Sequence, residues 1–236
     1  MNRFHSSIRF CLDLIYPNRC PCCEEFLPWN EYLCRKCREK VFFCPDEVLC
    51  RRCGKIKSEC MCAVPLEYDE AAAVSYYDNG ARNGLLLLKD ASNRNFGWYA
   101  GVRLGEWILR QPDWMKADGL VPVPMSTGKK LLRGYNQAEV IAKGISSVTK
   151  IPVRKDCLIK KHGSREQHTL GLRERAMNVE KFQPAGRDLE GLRLILCDDI
   201  LTTGATMSRC AEILKACGAE MVYAAAAATV YRKKEG

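Results

Sequence analysis

The stretch Arg193–Met207, RLILCDDILTTGATM, constrains the fold more than any other part of the chain. Leu194, Ile195, Leu196 and Cys197 are consecutive apolar residues with no polar face, as expected of a central parallel strand covered on both sides. The run ends on two adjacent carboxylates, Asp198 and Asp199, followed by the short side chains Thr202, Thr203, Gly204, Ala205 and Thr206. The apolar spacing then becomes Met207, Cys210, Ala211, Leu214, which predicts a helix ending at Gly218. A strand, a turn and a helix in that order make an α/β unit. Such sheets bind ligands at the carboxyl ends of their strands.

Small residues let a phosphate approach the backbone. The first N–H groups of the following helix have no partners within it, and the helix dipole adds favourable potential. Two carboxylates beside a phosphate would repel it unless they address something else, and ribose hydroxyls or Mg²⁺ fit that role. No G-x-x-x-x-G-K-[ST] is present, so this is not a Walker loop. A hydrophobic strand, two acids and a Thr/Gly loop resemble the ribose-5-phosphate motif of type I phosphoribosyltransferases. The resemblance implies an α/β fold with a parallel sheet flanked by helices.

The cysteines mark a second module. Of fifteen, ten lie between Cys20 and Cys62. Cys20-x-x-Cys23 and Cys34-x-x-Cys37 have zinc-ribbon spacing, and Cys50-x-x-Cys53 with Cys60-x-Cys62 forms a second, less regular set. Cys22 and Cys44 compete as ligands. Four thiolates leave no open coordination position, so both sites are read as structural. Eight thiolates and two Zn²⁺ together carry −4, which lowers the formal +9 to about +5. Cys157, Cys197, Cys210 and Cys217 read as ordinary core thiols.

At 236 residues and 47% apolar content the chain can bury one good core and carry a smaller module. The expected division is residues 1–65, an N-terminal helix and double zinc ribbon, and residues 66–236, the α/β domain. Ile8, Cys11, Leu12 and Ile15 recur at helical spacing, which favours a docked amphipathic helix over a signal peptide. The longest apolar run, around Ala224–Ala228, falls short of the ~20 residues of a membrane helix. A cytoplasmic protein is expected.

Between these ends, EAAAVSYY at Glu70–Tyr77 reads as a strand, Gly80–Asp90 and Phe96–Gln111 as helices, and GLVPVP at Gly119–Pro124 as a strand running into a proline-framed loop. GYNQAEVIAKGI then reads as loop and helix. Val121–Asn178 holds twelve Lys and Arg against four Asp and Glu, a local excess of eight. Arg165–Asn178 reads as a mobile basic loop before a strand at Phe182, and Tyr135 offers a ring on which a base could stack. His162 and His168 read as polar loop residues.

The cysteine pairs, VPVP, RGYNQAE, the Arg/Gln loop and DDILTTGAT, in this order, resemble the ComF family of competence-related proteins. That family joins a double zinc ribbon to a phosphoribosyltransferase-type domain and is linked to uptake or use of external DNA. The resemblance implies that Asp198, Asp199 and Thr202–Thr206 contact ribose-5-phosphate. It also implies that Pro124, Arg133, Arg165, Gln167 and Arg175 lie on loops facing pyrophosphate. Two functions stand side by side. One is Mg²⁺-dependent transfer from phosphoribosyl pyrophosphate, with Asp198 and Asp199 as the catalytic carboxylates. The other is a ligand sensor without turnover that binds single-stranded DNA.

Overall fold

A computed structural model describes residues 17–28, 30–60, 62–63, 65–90, 93–160 and 182–230. The N-terminal helix expected at Ile8–Ile15 and the basic loop at 165–178 lie outside the described residues. Four parallel strands form the main sheet in the order β1-β6-β5-β2: β1 (Glu70–Tyr76), β6 (Met221–Thr229), β5 (Arg193–Leu201) and β2 (Gly119–Pro122). β5 extends beyond the expected Leu194–Cys197 and carries both acids, since Asp198 pairs with Ala226 and Ile200 with Ala228. β3 (Leu158–Lys160) and β4 (Phe182–Pro184) form a small antiparallel ribbon.

Central placement of β5 follows from its sequence. Ile195 and Cys197 enter the apolar cluster of α3 (Asn79–Lys89), α4 (Asn95–Ile108) and α6 (Gln137–Thr149), whereas Leu194 and Leu196 enter that of α7 (Ala205–Ala216). All four residues are fully buried. At about 25 cal/mol per Å² of apolar area, each such side chain contributes about 1.5–3 kcal/mol.

β6 was not legible as a strand. Ala224–Ala228 pair with β1 on one side and β5 on the other, and every one of them is buried. Alanine favours helix over strand. Here burial between two strands overrides that preference, and the small side chains let flanking layers approach closely.

The cysteine module is built onto this core. Phe43 N donates to Val74 O at 2.9 Å and Ala71 N donates to Arg51 O at 2.6 Å, so its backbone extends the β1 edge. Leu33 and Phe42 share a cluster with Phe96, and Phe42 stacks on Phe96 at 5.6 Å between ring centroids. Two short helices, α1 (Arg35–Val41) and α2 (Pro45–Val48), frame the two knuckle sets.

One further element differs from expectation. Thr127–Arg133, read as loop, is a helix, α5, closed by Gly134 in the left-handed region. None of its residues is buried, so no apolar periodicity marked it.

Candidate functional site at the carboxyl edge of the sheet

β2 leads through α5 to α6 on one face of the sheet, and β5 is followed by α7 on the other. This divergence leaves a crevice at the carboxyl ends of β2 and β5, the position at which open α/β sheets bind ligands. Val123 N donates to Cys197 O at 2.9 Å, which lays the Val123–Pro124 segment beside the two acids. Asn136 clamps that segment: its Nδ2 donates to Val123 O at 2.9 Å while its Oδ1 caps α6 by accepting from Ala138 N.

Asp198 and Asp199 are half-buried at this crevice. The two side chains leave opposite faces of the strand. Asp198 turns back so that Oδ1 accepts from Asp199 N at 2.8 Å. Asp199 Oδ2 meets Lys89 Nζ at 3.2 Å. Sequence reasoning missed Lys89, because nothing near the end of LLLLK points to residues far along the chain; only the packing of α3 beside β5 brings the two together.

Thr202, Thr203, Ala205 and Thr206 are exposed, whereas Gly204 is buried. Gly204 caps α7 at φ +81°, so it offers the helix no side-chain oxygen. Thr203 Oγ1 accepts from Ala205 N at 3.3 Å, and the remaining first-turn N–H groups have no acceptor within the helix. The glycine answers to packing as well. A Cβ there would lie 2.5 Å from the Tyr68 hydroxyl oxygen, so the constraint at this position comes partly from the linker beneath the loop.

Carboxylates at the strand end and exposed hydroxyls at the helix start are oxygen donors suited to Mg²⁺ and ribose. Pro124 and Arg133 are half-buried on the β2 side, and α5, which follows Pro124 along the chain, carries exposed Lys129 and Lys130. Arg165, Gln167 and Arg175 lie outside the described residues. Tyr135 requires correction: its ring is buried, its hydroxyl donates to Leu88 O at 2.5 Å, and the Arg94 guanidinium covers it at 4.1 Å. It is a packing residue and offers no face to a base.

The two expected zinc sets are both assembled. Cys20, Cys23, Cys34 and Cys37 form one group, and Cys50, Cys53, Cys60 and Cys62 the other, each with its ligand atoms within 4.8 Å of one another. The sulfur pairs in closest contact are separated by 3.2 Å (Cys60 to Cys62) to 3.9 Å (Cys53 to Cys60). A tetrahedral site with Zn–S of about 2.3 Å has an edge of about 3.8 Å, so the residues fit the metal. The irregular Cys60-x-Cys62 pair therefore closes its site. Cys22 and Cys44 stay outside both groups, and the Cys22 side chain packs against α3 near Gly80. Burial raises the Cys50 thiol, but N–H groups of Cys53 and Arg52 and the thiols of Cys62 and Cys60 outweigh it and bring it down to about 7.

Residues 11–73 match the double zinc ribbon domain, and residues 136–236 match the phosphoribosyl transferase domain. Among curated relatives, Competence protein F of Haemophilus influenzae is 25% identical over 108 residues, covering 44% of this chain and 47% of the relative. Competence protein ComFC of Bacillus subtilis is 33% identical over 95 residues, 40% and 37% of the two chains. The chain is similar to proteins named for competence, and its two parts match a double zinc ribbon and a phosphoribosyl transferase domain. DNA utilization protein YhgH of Escherichia coli is also similar to this chain, at 26% over 105 residues, 44% and 46%. The matched region spans under half the length of these relatives.

The fold is of the type I phosphoribosyltransferase kind, with β1 and β2 completing a sheet whose other half lies in the matched domain. Among solved structures, a glutamine phosphoribosylpyrophosphate amidotransferase from B. subtilis aligns at TM-score 0.36 and 26% identity, covering 54% of this chain and 26% of the other. No helix among the described residues is long and apolar enough to cross a membrane.

Proposed function

We propose that this chain is a ComF-type protein that binds phosphoribosyl pyrophosphate with Mg²⁺ at the carboxyl ends of β5 and β2, in the service of DNA uptake or use. One observation carries the reading: paired acids end the central strand and lead directly into a Thr/Gly loop at a helix start, beside the crevice where two helices diverge. Thr202–Thr206 take the 5-phosphate on backbone N–H groups and hydroxyls. Asp198 and Asp199 take the ribose hydroxyls, and the loops bearing Pro124, Arg133, Arg165, Gln167 and Arg175 face the pyrophosphate.

Bound Mg²⁺ supplies positive charge against the pyrophosphate. The chain's own contribution is to hold the sugar at fixed carboxylates and to keep cationic side chains along the pyrophosphate side. A cytoplasmic setting belongs to this reading, supported by two cysteine sets grouped as metal-ligating thiols are. Calorimetric titration with phosphoribosyl pyrophosphate, with and without Mg²⁺, tests it directly. Absence of Mg²⁺-dependent binding would refute it.

A second reading, ligand sensing joined to single-strand binding without transfer, is favoured by α5. Lys129, Lys130 and Arg133 share that helix with Leu131 and Leu132, which are 80% and 87% exposed. A surface of this kind can hold a phosphate backbone, and its binding weakens steeply with salt as counterions are released. Pyrophosphate release in the presence of candidate bases separates the two readings. Release supports transfer; salt-sensitive strand binding that tracks the α5 charges, without release, supports sensing.

A further inference from the structure

We propose that the second cysteine tetrad positions the loop Thr202–Thr206, acting through Lys55, Thr229 and Tyr68. The inference rests on the reading of that loop as a phosphate site. The knuckle Cys50–Lys55 and the end of β5 are nearly 150 residues apart in sequence, yet they share a buried polar cluster. Lys55 is 8% exposed, and its Nζ lies 3.5 Å from both Leu201 O and Val230 O. Thr229 is fully buried, with Oγ1 3.2 Å from Gly54 O and 3.3 Å from Leu201 O. Its single proton serves one of these carbonyls at a time. Val230 N also donates to Leu201 O, at 3.4 Å.

Leu201 O is thus the focus of three donors, and Leu201 is the residue immediately before the loop. The middle of the loop is held through Tyr68, whose hydroxyl donates to Cys53 O at 3.2 Å and fills the space beside Gly204. Cys53 is itself a tetrad member. Apolar contact supports the polar one: Gly54, at φ +68°, lets the Leu201 side chain pack where a Cβ would sit at 2.3 Å. The entry to the candidate phosphate loop and its glycine therefore rest on a knuckle whose shape a bound metal would fix.

The two tetrads differ in burial in a way that makes the second the more responsive one. Each has one exposed thiol, Cys23 and Cys60, but the first buries two of its four, Cys20 and Cys34, and the second only Cys53. An open depression of about 530 Å³, lined by Asp46, Leu49, Cys50, Arg51, Lys57 and Cys60, gives solvent access on that side. If metal at this tetrad orders the loop, a ligand on the loop must stabilise metal binding by the same factor, because coupling between sites is reciprocal.

The decisive measurement is amide hydrogen exchange across 201–206 without ligand, in wild type, in Lys55→Met, and in the exposed-ligand variant Cys60→Ser/Cys62→Ser. We expect exchange in this segment to rise at least about tenfold in both variants while amides of β2 stay unchanged, as loss of a charged donor's hydrogen bond requires. Unchanged exchange at 201–206, or a rise spread uniformly over the sheet, overturns the proposal. Should Lys55→Met fail to fold, Tyr68→Phe and wild type briefly exposed to a chelator give the same comparison.

A second arm follows zinc release into a chromogenic chelator with and without phosphoribosyl pyrophosphate. Slower release from the faster site alone supports the coupling, and identical release despite calorimetrically proven binding overturns it. Loosened exchange in a protein that fails to bind phosphoribosyl pyrophosphate supports the positioning while sinking the ligand reading.

Discussion

Lys89 Nζ lies 3.2 Å from Asp199 Oδ2, joining the last turn of α3 to the carboxyl end of β5. The side chains are 31% and 19% exposed, so solvent screens the pair only in part. An ion pair of this exposure contributes about 0–1 kcal/mol to stability, which is small beside the burial of β5. Its larger effect is local. On the proposed reading, the carboxylate that would take ribose is already held in place by Lys89 before ligand arrives.

Asp199→Asn keeps the shape and removes one charge. Melting temperature should change little, while Mg²⁺-dependent affinity for phosphoribosyl pyrophosphate falls by roughly one to two decades, the loss expected for a charged hydrogen-bond partner. Lys89→Met should weaken binding less, because it leaves both carboxylates. Calorimetry on the two variants checks the order, and undiminished affinity in Asp199→Asn would remove ribose recognition from that position.

Gly204→Ala should destabilise the fold for two separable reasons. A left-handed φ of +81° costs a non-glycine residue about 1–2 kcal/mol, and its Cβ meets the Tyr68 hydroxyl. Tyr68→Phe removes only the second cost. Urea unfolding of the two single variants and the double should therefore show favourable coupling of about 0.5–1 kcal/mol. Strict additivity would mean that backbone conformation alone demands glycine. Loss of ligand binding in a Gly204 variant is not diagnostic by itself, since the loop is strained by any side chain.

Elemental analysis of the purified protein should give close to two zinc per chain. Cys20→Ser should lower the melting temperature more than Cys60→Ser, because Cys20 is fully buried among Leu33, Phe42 and α3 whereas Cys60 is exposed. Chelator titration followed by metal emission should show the Cys50–Cys62 site emptying first. Emptying in the opposite order would contradict the burial argument.

Glu139 supplies a pH test. Burial raises its carboxyl, but hydrogen bonds from Lys155 at 2.7 Å and Lys143 at 3.0 Å outweigh this and hold it below its ordinary value of 4.5. A depressed folded value stabilises above the unfolded one, and that stabilisation is lost as pH falls through the folded value. Glu139→Gln should thus be less stable than wild type at neutral pH by about 0.5–1 kcal/mol. The gap should close in acid well below pH 4.5. Denaturant midpoints at the two pH values decide, and a gap independent of pH would sink the assignment.

The sequence by itself determined what depends on neighbours along the chain. β5, its two acids, the Thr/Gly turn and α7 were legible because an apolar run, a polar stop and a change of period all lie within about twenty residues. The cysteine sets were legible because knuckle spacing is local chemistry, and the pair Cys20-x-x-Cys23 stands in its group with Cys22 outside it. Tertiary structure decided everything that depends on residues brought together from afar. Ala224–Ala228 are a strand only because β1 and β5 flank them. Tyr135 is buried because α3 presents Leu88 O to its hydroxyl. Lys89 faces Asp199, and Lys55 faces Leu201, across 110 and 146 positions of sequence. No periodicity records such separations, since the free energy that fixes them comes from burying shared surface, and that surface exists only once the sheet and its helices have closed.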